Sequence, residues 1–125
     1  MNVILNNGSM IPIYEQLVGQ IKGQILSGEL PENEALPSVR ALSSRLKISA
    51  LTVKKAYDKL EEDGFVVTVH GKGTYVAPAN RVLAMEARRR AVEEDFTRAL
   101  EKARAVGMQP GEIRELLELL LEEST

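Results

Sequence analysis

Cysteine and tryptophan are missing from this 125-residue chain, and its aromatic content is confined to two Phe and three Tyr. Without cysteine there can be no disulfide, thiolate zinc site, iron–sulfur cluster or cysteine nucleophile, and an intracellular setting is the natural expectation. A single histidine, His70, leaves Ser, Asp, Glu and Lys as the remaining catalytic inventory. The acidic clusters Glu61-Glu62-Asp63 and Glu93-Glu94-Asp95 fall on polar helix faces, where solvation is the expected fate, so no enzyme is expected. No metal-ligand spacing or phosphate-binding loop appears, hence no cofactor. No segment approaches the roughly 20 consecutive apolar residues of a membrane span. The opening MNVILNNGSM lacks the basic and apolar pattern of a secretory leader, which adds to the expectation of a cytoplasmic protein with no membrane partner.

The composition is that of a globular chain, 44% apolar and 27% charged, with a net charge of −2. The sum conceals a segregation. Between Ala35 and Tyr57 stand Arg40, Arg45, Lys47, Lys54 and Lys55, without one Asp or Glu. Local clustering of this kind, rather than total charge, is the footprint of a polyanionic partner.

Hydrophobic periodicity divides the chain into elements. From Pro12 to Ser27, Ile13, Leu17, Ile21 and Ile25 recur on one helical face with Val18 and Leu26 beside them, and Gly28 is the stop. Gly19 and Gly23 within it are either a close-packing surface or tolerated at about 1 kcal/mol each. After a loop from Glu29 to Leu36, Ser38 opens a short helix with Val39, Leu42 and Leu46 inward. A turn at Lys47 and Ile48 leads to Ser49, a candidate N-cap for a second helix striped by Val53, Ala56, Tyr57 and Leu60 and ended by Gly64. Two short helices joined by a tight turn make a helix-turn-helix. The period then changes to alternation, with Phe65, Val67 and Val69 on one side, a turn at His70-Gly71-Lys72-Gly73 and a return through Thr74, Tyr75 and Val76. A lone hairpin is marginal in water and must lean on the helices, which gives a winged helix. The fold class expected is mainly α with a small β wing, a winged helix-turn-helix domain over 1–78 followed over 79–125 by a C-terminal helical hairpin for dimerisation.

In that tail Asn80 is a candidate cap for a long helix reaching about Val106. Val82, Arg89, Phe96 and Ala103 alternate with Met85, Val92, Ala99 and Val106 at heptad spacing. Gly107 breaks the run, Pro110 suits the first turn of a new helix, and Ile113, Leu116, Leu117, Leu120 and Leu121 form a wide apolar stripe. Two helices cannot hide that much apolar surface, so Val92, Phe96, Ala99, Ile113, Leu116, Leu117 and Leu120 are the expected contacts of a homodimer.

In a helix-turn-helix the second helix enters the major groove with its N-terminal residues at base edges while the first crosses the backbone. Packing consumes Val53, Ala56, Tyr57 and Leu60, leaving Ser49, Ala50, Leu51, Thr52, Lys54 and Lys55 outside. Hydroxyls suit phosphate or base acceptors, lysines neutralise phosphates, and Arg40 can pair with guanine or phosphate. Ser38 offers a backbone N–H at a helix start. His70, Gly71 and Lys72 put a small backbone, a ring donor and a cation at a protruding tip suited to a minor groove. The partner expected is duplex DNA.

The blocks PIYEQL, LPSVRALSSRL, ISALTVKKAYDKLEEDGF and HGKGTYV, in this order and spacing over residues 12–78, resemble the GntR family of bacterial winged-helix transcription regulators. The short helical tail is similar to that of the YtrA-type subfamily. The resemblance implies a dimeric regulator without a large effector domain, most simply a repressor on an inverted-repeat operator, and control of a transporter operon. Any small-molecule effector, of unknown class, would bind at the dimer interface or between tail and DNA-binding module. By position it also implies DNA contacts for Arg40, Ser49, Thr52, Lys54, His70 and Gly71. Ala50 and Leu51 stand where many relatives carry Arg, Asn or Thr, which leaves either weaker base readout there or apolar contact with a thymine methyl. The rival reading is a winged helix used as a protein adaptor.

Overall fold

The computed structural model describes residues 1–124. Five helices and one antiparallel hairpin follow in the order α1 (Ile13–Ser27), α2 (Val39–Leu46), α3 (Ala50–Glu62), β1 (Val66–Val69), β2 (Gly73–Val76), α4 (Ala79–Ala105) and α5 (Pro110–Ser124). The chain divides into two compact units, 1–85 and 86–125.

The first unit is built round one core. Leu17, Val18, Ile21 and Ile25 of α1 meet Leu42 of α2, Val53, Ala56, Tyr57 and Leu60 of α3, and Phe65, Val66 and Val76 at the base of the hairpin. Each helix contributes the stripe its apolar spacing dictates, with two corrections, the first being that Tyr14 rather than Ile13 packs against the core at the start of α1. Leu26 is exposed rather than part of the α1 face, because it lies about 100° round the helix from Ile25. Gly19 and Gly23 have open space where a Cβ would stand, so they are tolerated glycines and not a packing surface. Gly64, by contrast, is required. Its φ of +83° is left-handed, and a Cβ there would sit 2.6 Å from Cγ of Met85.

The hairpin register pairs Val66 with Val76, Val67 with Tyr75, Thr68 with Thr74 and Val69 with Gly73. The fully buried residue of β1 is Val66, whereas of the Val67 and Val69 that alternate with Phe65 the first packs against the core in part and the second is exposed. Phe65 ends the helical unit as a core residue, and the outer end of the wing projects beyond the helices, leaving Val69 exposed. The loop before α2 is also more than a loop. Asn33 N–H donates to the Val76 carbonyl at 2.9 Å, Val76 N–H to that of Glu34 at 2.8 Å and Leu36 N–H to that of Thr74 at 2.8 Å, with Ala35 bridging Tyr75. β2 is therefore bonded on both edges, which relieves the marginality of a two-stranded sheet.

Residues 2–6 run extended along α1, held by three glutamines one turn apart. The Oε1 atoms of Gln24, Gln20 and Gln16 accept from the N–H groups of Asn2, Ile4 and Asn6 at 3.3, 2.8 and 2.8 Å. Their amide nitrogens donate back to the carbonyls of the same residues. The carboxamides act as a strand edge mounted on a helix, and Met1 and Val3, on the alternate positions, pack against the core.

An ion-pair cluster links α1 to the end of α3. Asp63 is 7% exposed, with Lys22 Nζ at 2.7 Å and Lys59 Nζ at 3.5 Å. Glu61 Oε2 accepts from Thr68 N–H at 2.9 Å. Of the acidic trio expected to be solvated, Asp63 is buried and structural, whereas Glu61 and Glu62 keep the expected exposure, Glu61 with a hydrogen bond to the wing.

α4 begins at Ala79, one residue before the anticipated cap. Asn80 lies inside the first turn, and the Pro78 carbonyl accepts from Arg81 and Val82. Asn80 Oδ1 still accepts from Arg81 N–H at 2.9 Å, and Glu32 adds a cap from outside the helix, its Oε2 accepting from Ala79 N–H at 2.8 Å. The compact unit extends seven residues beyond Pro78 because Val82 is buried in its core.

In the second unit the rest of α4 turns at Gly107 into α5, which opens at Pro110 with Glu112 Oε1 accepting from Gln109 N–H at 3.1 Å, half of a capping box. None of residues 86–124 is buried. An open apolar groove of about 370 Å³ runs between the helices, walled by Phe96, Ala99 and Leu100 from α4 and Ile113, Leu116 and Leu120 from α5. Val106 stands outside this seam, past the end of α4 and exposed. Asp95 is paired with Arg98 on the outer surface.

Candidate nucleic-acid interface

α2 and α3 are capped alike. Ser38 Oγ accepts from Ala41 N–H at 3.0 Å, and Ser49 Oγ from Thr52 N–H at 3.1 Å, each satisfying one N–H that a helix start leaves open. Between them Lys47 adopts a left-handed conformation, φ +58°, and the N–H groups of Lys47 and Ile48 return to the Ser43 carbonyl. This closes the turn in three residues and sets the angle of α3. Tyr57 fastens the pair from beneath, its buried hydroxyl donating to the Pro37 carbonyl at 2.7 Å. Burial pushes that hydroxyl up to about 12, against an opposing pull from the Arg45 guanidinium. Arg45 itself donates to the Met1 carbonyl at 3.2 Å, so it ties α2 to the N-terminal segment.

The residues expected to contact DNA lie mostly at the surface. Ser38, Arg40, Ser49, Ala50, Leu51, Lys54 and Lys55 are exposed, and Thr52 is half-buried. Arg40 occupies the second position of α2. At the N-terminus of α3 the polar groups already have partners within the chain. Ser49 Oγ lies 2.9 Å from Thr52 Oγ1. Lys54 Nζ holds both carboxylate oxygens of Asp58, at 2.8 and 2.9 Å. Lys55 Nζ lies 3.8 Å from the ring centroid of Tyr14. Sequence reasoning passed over Tyr14 and Asp58, yet both set where these cations stand. Asp58 is four residues from Lys54, a separation legible in the sequence as a helical ion pair.

His70, Gly71 and Lys72 form the exposed tip of the wing. Lys72 N–H donates to the Val69 carbonyl at 2.9 Å, and Gly71 at φ +78° takes the third place of the turn, the positive φ of a type II turn. The whole hairpin tip is therefore three residues long, with the imidazole and the ammonium flanking a glycine.

Among the described residues no helix is long and apolar enough to cross a membrane. Residues 13–76, from the start of α1 to the end of β2, match the family described as bacterial regulatory proteins, gntR family. The HTH-type transcriptional repressor YtrA of Bacillus subtilis is 32% identical over 107 residues, covering 86% of this chain and 82% of that protein. Among solved structures, YtrA from Sulfolobus acidocaldarius, a GntR-family transcription factor, is 32% identical with a TM-score of 0.60 and covers 97% of each chain. AraR(DBD), solved in complex with operator ORR3, is 28% identical with a TM-score of 0.52, over 62% of this chain and 93% of that one. The family and these relatives are regulators of transcription, not enzymes. The capped helix-turn-helix and its wing fall within the matched residues, and the chain belongs to the gntR family of bacterial regulatory proteins.

Proposed function

We propose that the chain is a cytoplasmic, sequence-specific repressor that occupies an inverted-repeat operator as a homodimer, with the N-terminus of α3 in the major groove and the wing tip against the minor groove. The observation that carries this reading is the exposed N-terminal turn of α3, fixed by caps and the buried Tyr57 beside an acid-free α2, in a gntR-family winged helix. Arg40 reads or clamps from α2, and Ser38 and Ser49 present helix N-termini to phosphates. Ala50, Leu51 and Thr52 meet base edges, Lys54 and Lys55 neutralise backbone charge, and His70, Gly71 and Lys72 follow the minor groove. The repressor names of the relatives and the operator complex of AraR(DBD) support the partner class.

Residues 1–78 carry the DNA contacts in this reading and 79–125 the dimer. Val92, Phe96, Leu116, Leu117 and Leu120 remain 41 to 58% exposed, apolar surface that a second copy would remove from water. An isologous dimer presents two recognition helices related by a two-fold axis, hence the inverted repeat. Resemblance to the YtrA-type subfamily supports a transporter operon as the target.

Affinity for duplex DNA at stepped salt concentration tests the proposal. Phosphate neutralisation gives a steep negative slope of log affinity on log salt. Arg40→Ala should cost about 1 to 3 kcal/mol and relax base preference, whereas Lys54→Ala or Lys55→Ala should weaken binding evenly across sequences and flatten the slope by about one per contact. A flat slope, with the variants matching the parent, would favour a protein adaptor and overturn the reading.

A further inference from the structure

At the N-terminal turn of α3 the polar groups are matched inside the chain and an apolar one is not. Ser49 and Thr52 share a hydroxyl–hydroxyl contact and a cap bond, Lys54 is held by both oxygens of Asp58, and Lys55 stands over the Tyr14 ring. Leu51, in the middle of this set, is 81% exposed and contributes nothing to the core. A single exposed leucine on a surface is unremarkable. Here it occupies the second residue of the helix, where side chains of a recognition helix reach base edges.

Among the base edges of the major groove the one that carries a protruding apolar group is that of thymine, with its C5-methyl. An isobutyl group offers no donor or acceptor, and set against a guanine, cytosine or adenine edge it would strip water from polar atoms without replacing the lost bonds. Against a thymine methyl, both partners leave water together. We propose that Leu51 is a specificity-determining residue that reads the 5-methyl group of a thymine in each operator half-site, with the shorter Ala50 beside it leaving room for that base. The inference rests on the reading of α3 as the groove-entering helix and adds the identity of the base.

Deoxyuridine, which differs from thymidine by that methyl alone, supplies the test. Operator duplexes are first recovered with the full chain from a random-sequence pool, and each half-site thymine is then replaced in turn by deoxyuridine. At one thymine the replacement should weaken the parent about fourfold, the value of one buried methyl-sized group. The same replacement should leave Leu51→Ala unaffected, while Leu51→Met keeps most of the penalty. Circular dichroism and melting of both variants confirm that the fold is retained. Should Leu51→Ala unfold, Leu51→Gln, of similar volume but polar, takes its place with the same expectation. Tolerance of deoxyuridine at every thymine, or a penalty that survives the loss of Leu51, overturns the assignment while leaving the operator reading intact. A pool from which no preferred sequence emerges, with uniform affinity for all duplexes, overturns the operator reading and the assignment together.

Discussion

Tyr57 shows how one side chain can be read correctly for position and missed for role. Its place in the apolar stripe of α3 is legible from its spacing with Val53, Ala56 and Leu60. Its hydroxyl partner, the Pro37 carbonyl, is 20 residues away in the chain and visible only in three dimensions. Burial raises the hydroxyl to about 12 from an ordinary 10.0, so the folded protein keeps the proton that the unfolded chain gives up. Stability from this group is fully present below pH 10 and lost as the pH rises towards 12. Urea unfolding of the parent should therefore show a decline of up to about 2 to 3 kcal/mol across that window. In Tyr57→Phe this component should vanish, at a cost near neutrality of about 1 kcal/mol for the lost hydrogen bond. Identical alkaline profiles for the two proteins would refute the coupling. Leu51 belongs to the same scale, since its exposure and the pairing of its neighbours are what make it the proposed reader.

Between elements, the ion-pair cluster of Lys22, Lys59 and Asp63 locks α1 to the end of α3. A run of three acids reads from the sequence as a solvated face, because periodicity reports apolar residues and is silent on which charge will find a partner. Asp63 is drawn in because the chain must turn at Gly64 into the buried Phe65, which brings its carboxylate under α1. Asp63→Ala should destabilise by about 3 kcal/mol, at the lower end of the range for a broken buried pair because Lys22 keeps some exposure. Glu62→Ala, at an exposed position of the same helix, should stay within about 0.5 kcal/mol. Equal effects of the two substitutions in urea titration would mean that the cluster does not lock the helices. The glutamine ladder on α1 was hidden for a related reason. Gln16, Gln20 and Gln24 recur at helical spacing, but an uncharged polar face carries no mark that says it will hold an extended segment.

Across the whole molecule, the two units differ in what they bury. The first closes a core of its own that takes in Val82, while in the second no described residue is buried. A chain ending at Met85, which retains Val82 and the Met85 contact with Gly64, should fold as a monomer. It should lose about 100-fold or more in operator affinity, because two linked recognition helices gain from effective concentration what one cannot. Sedimentation equilibrium and DNA titration measure the two effects. A truncated chain that remains a tight dimer would show that the tail is not the dimerising element.

Local chemistry was enough to determine the succession of helices and wing. Apolar spacing sets the stripes, serines cap α2 and α3, glycines end α1 and α3, and the tight turn at Lys47 and Ile48 joins the two short helices. These are decisions among residues within a turn or two of each other, and they carry the family resemblance. Tertiary structure alone decided the pairings across long separations. Asp63 meets Lys22, Ala35 meets Tyr75, Glu32 caps α4, and the extended N-terminal segment lies on three glutamines. It also decided which strand face is fully buried, since Val66 lies within the core while Val67 packs against it only in part. Hydrogen bonds and ion pairs of this kind depend on where distant backbones come to rest, and no period in the chain encodes that.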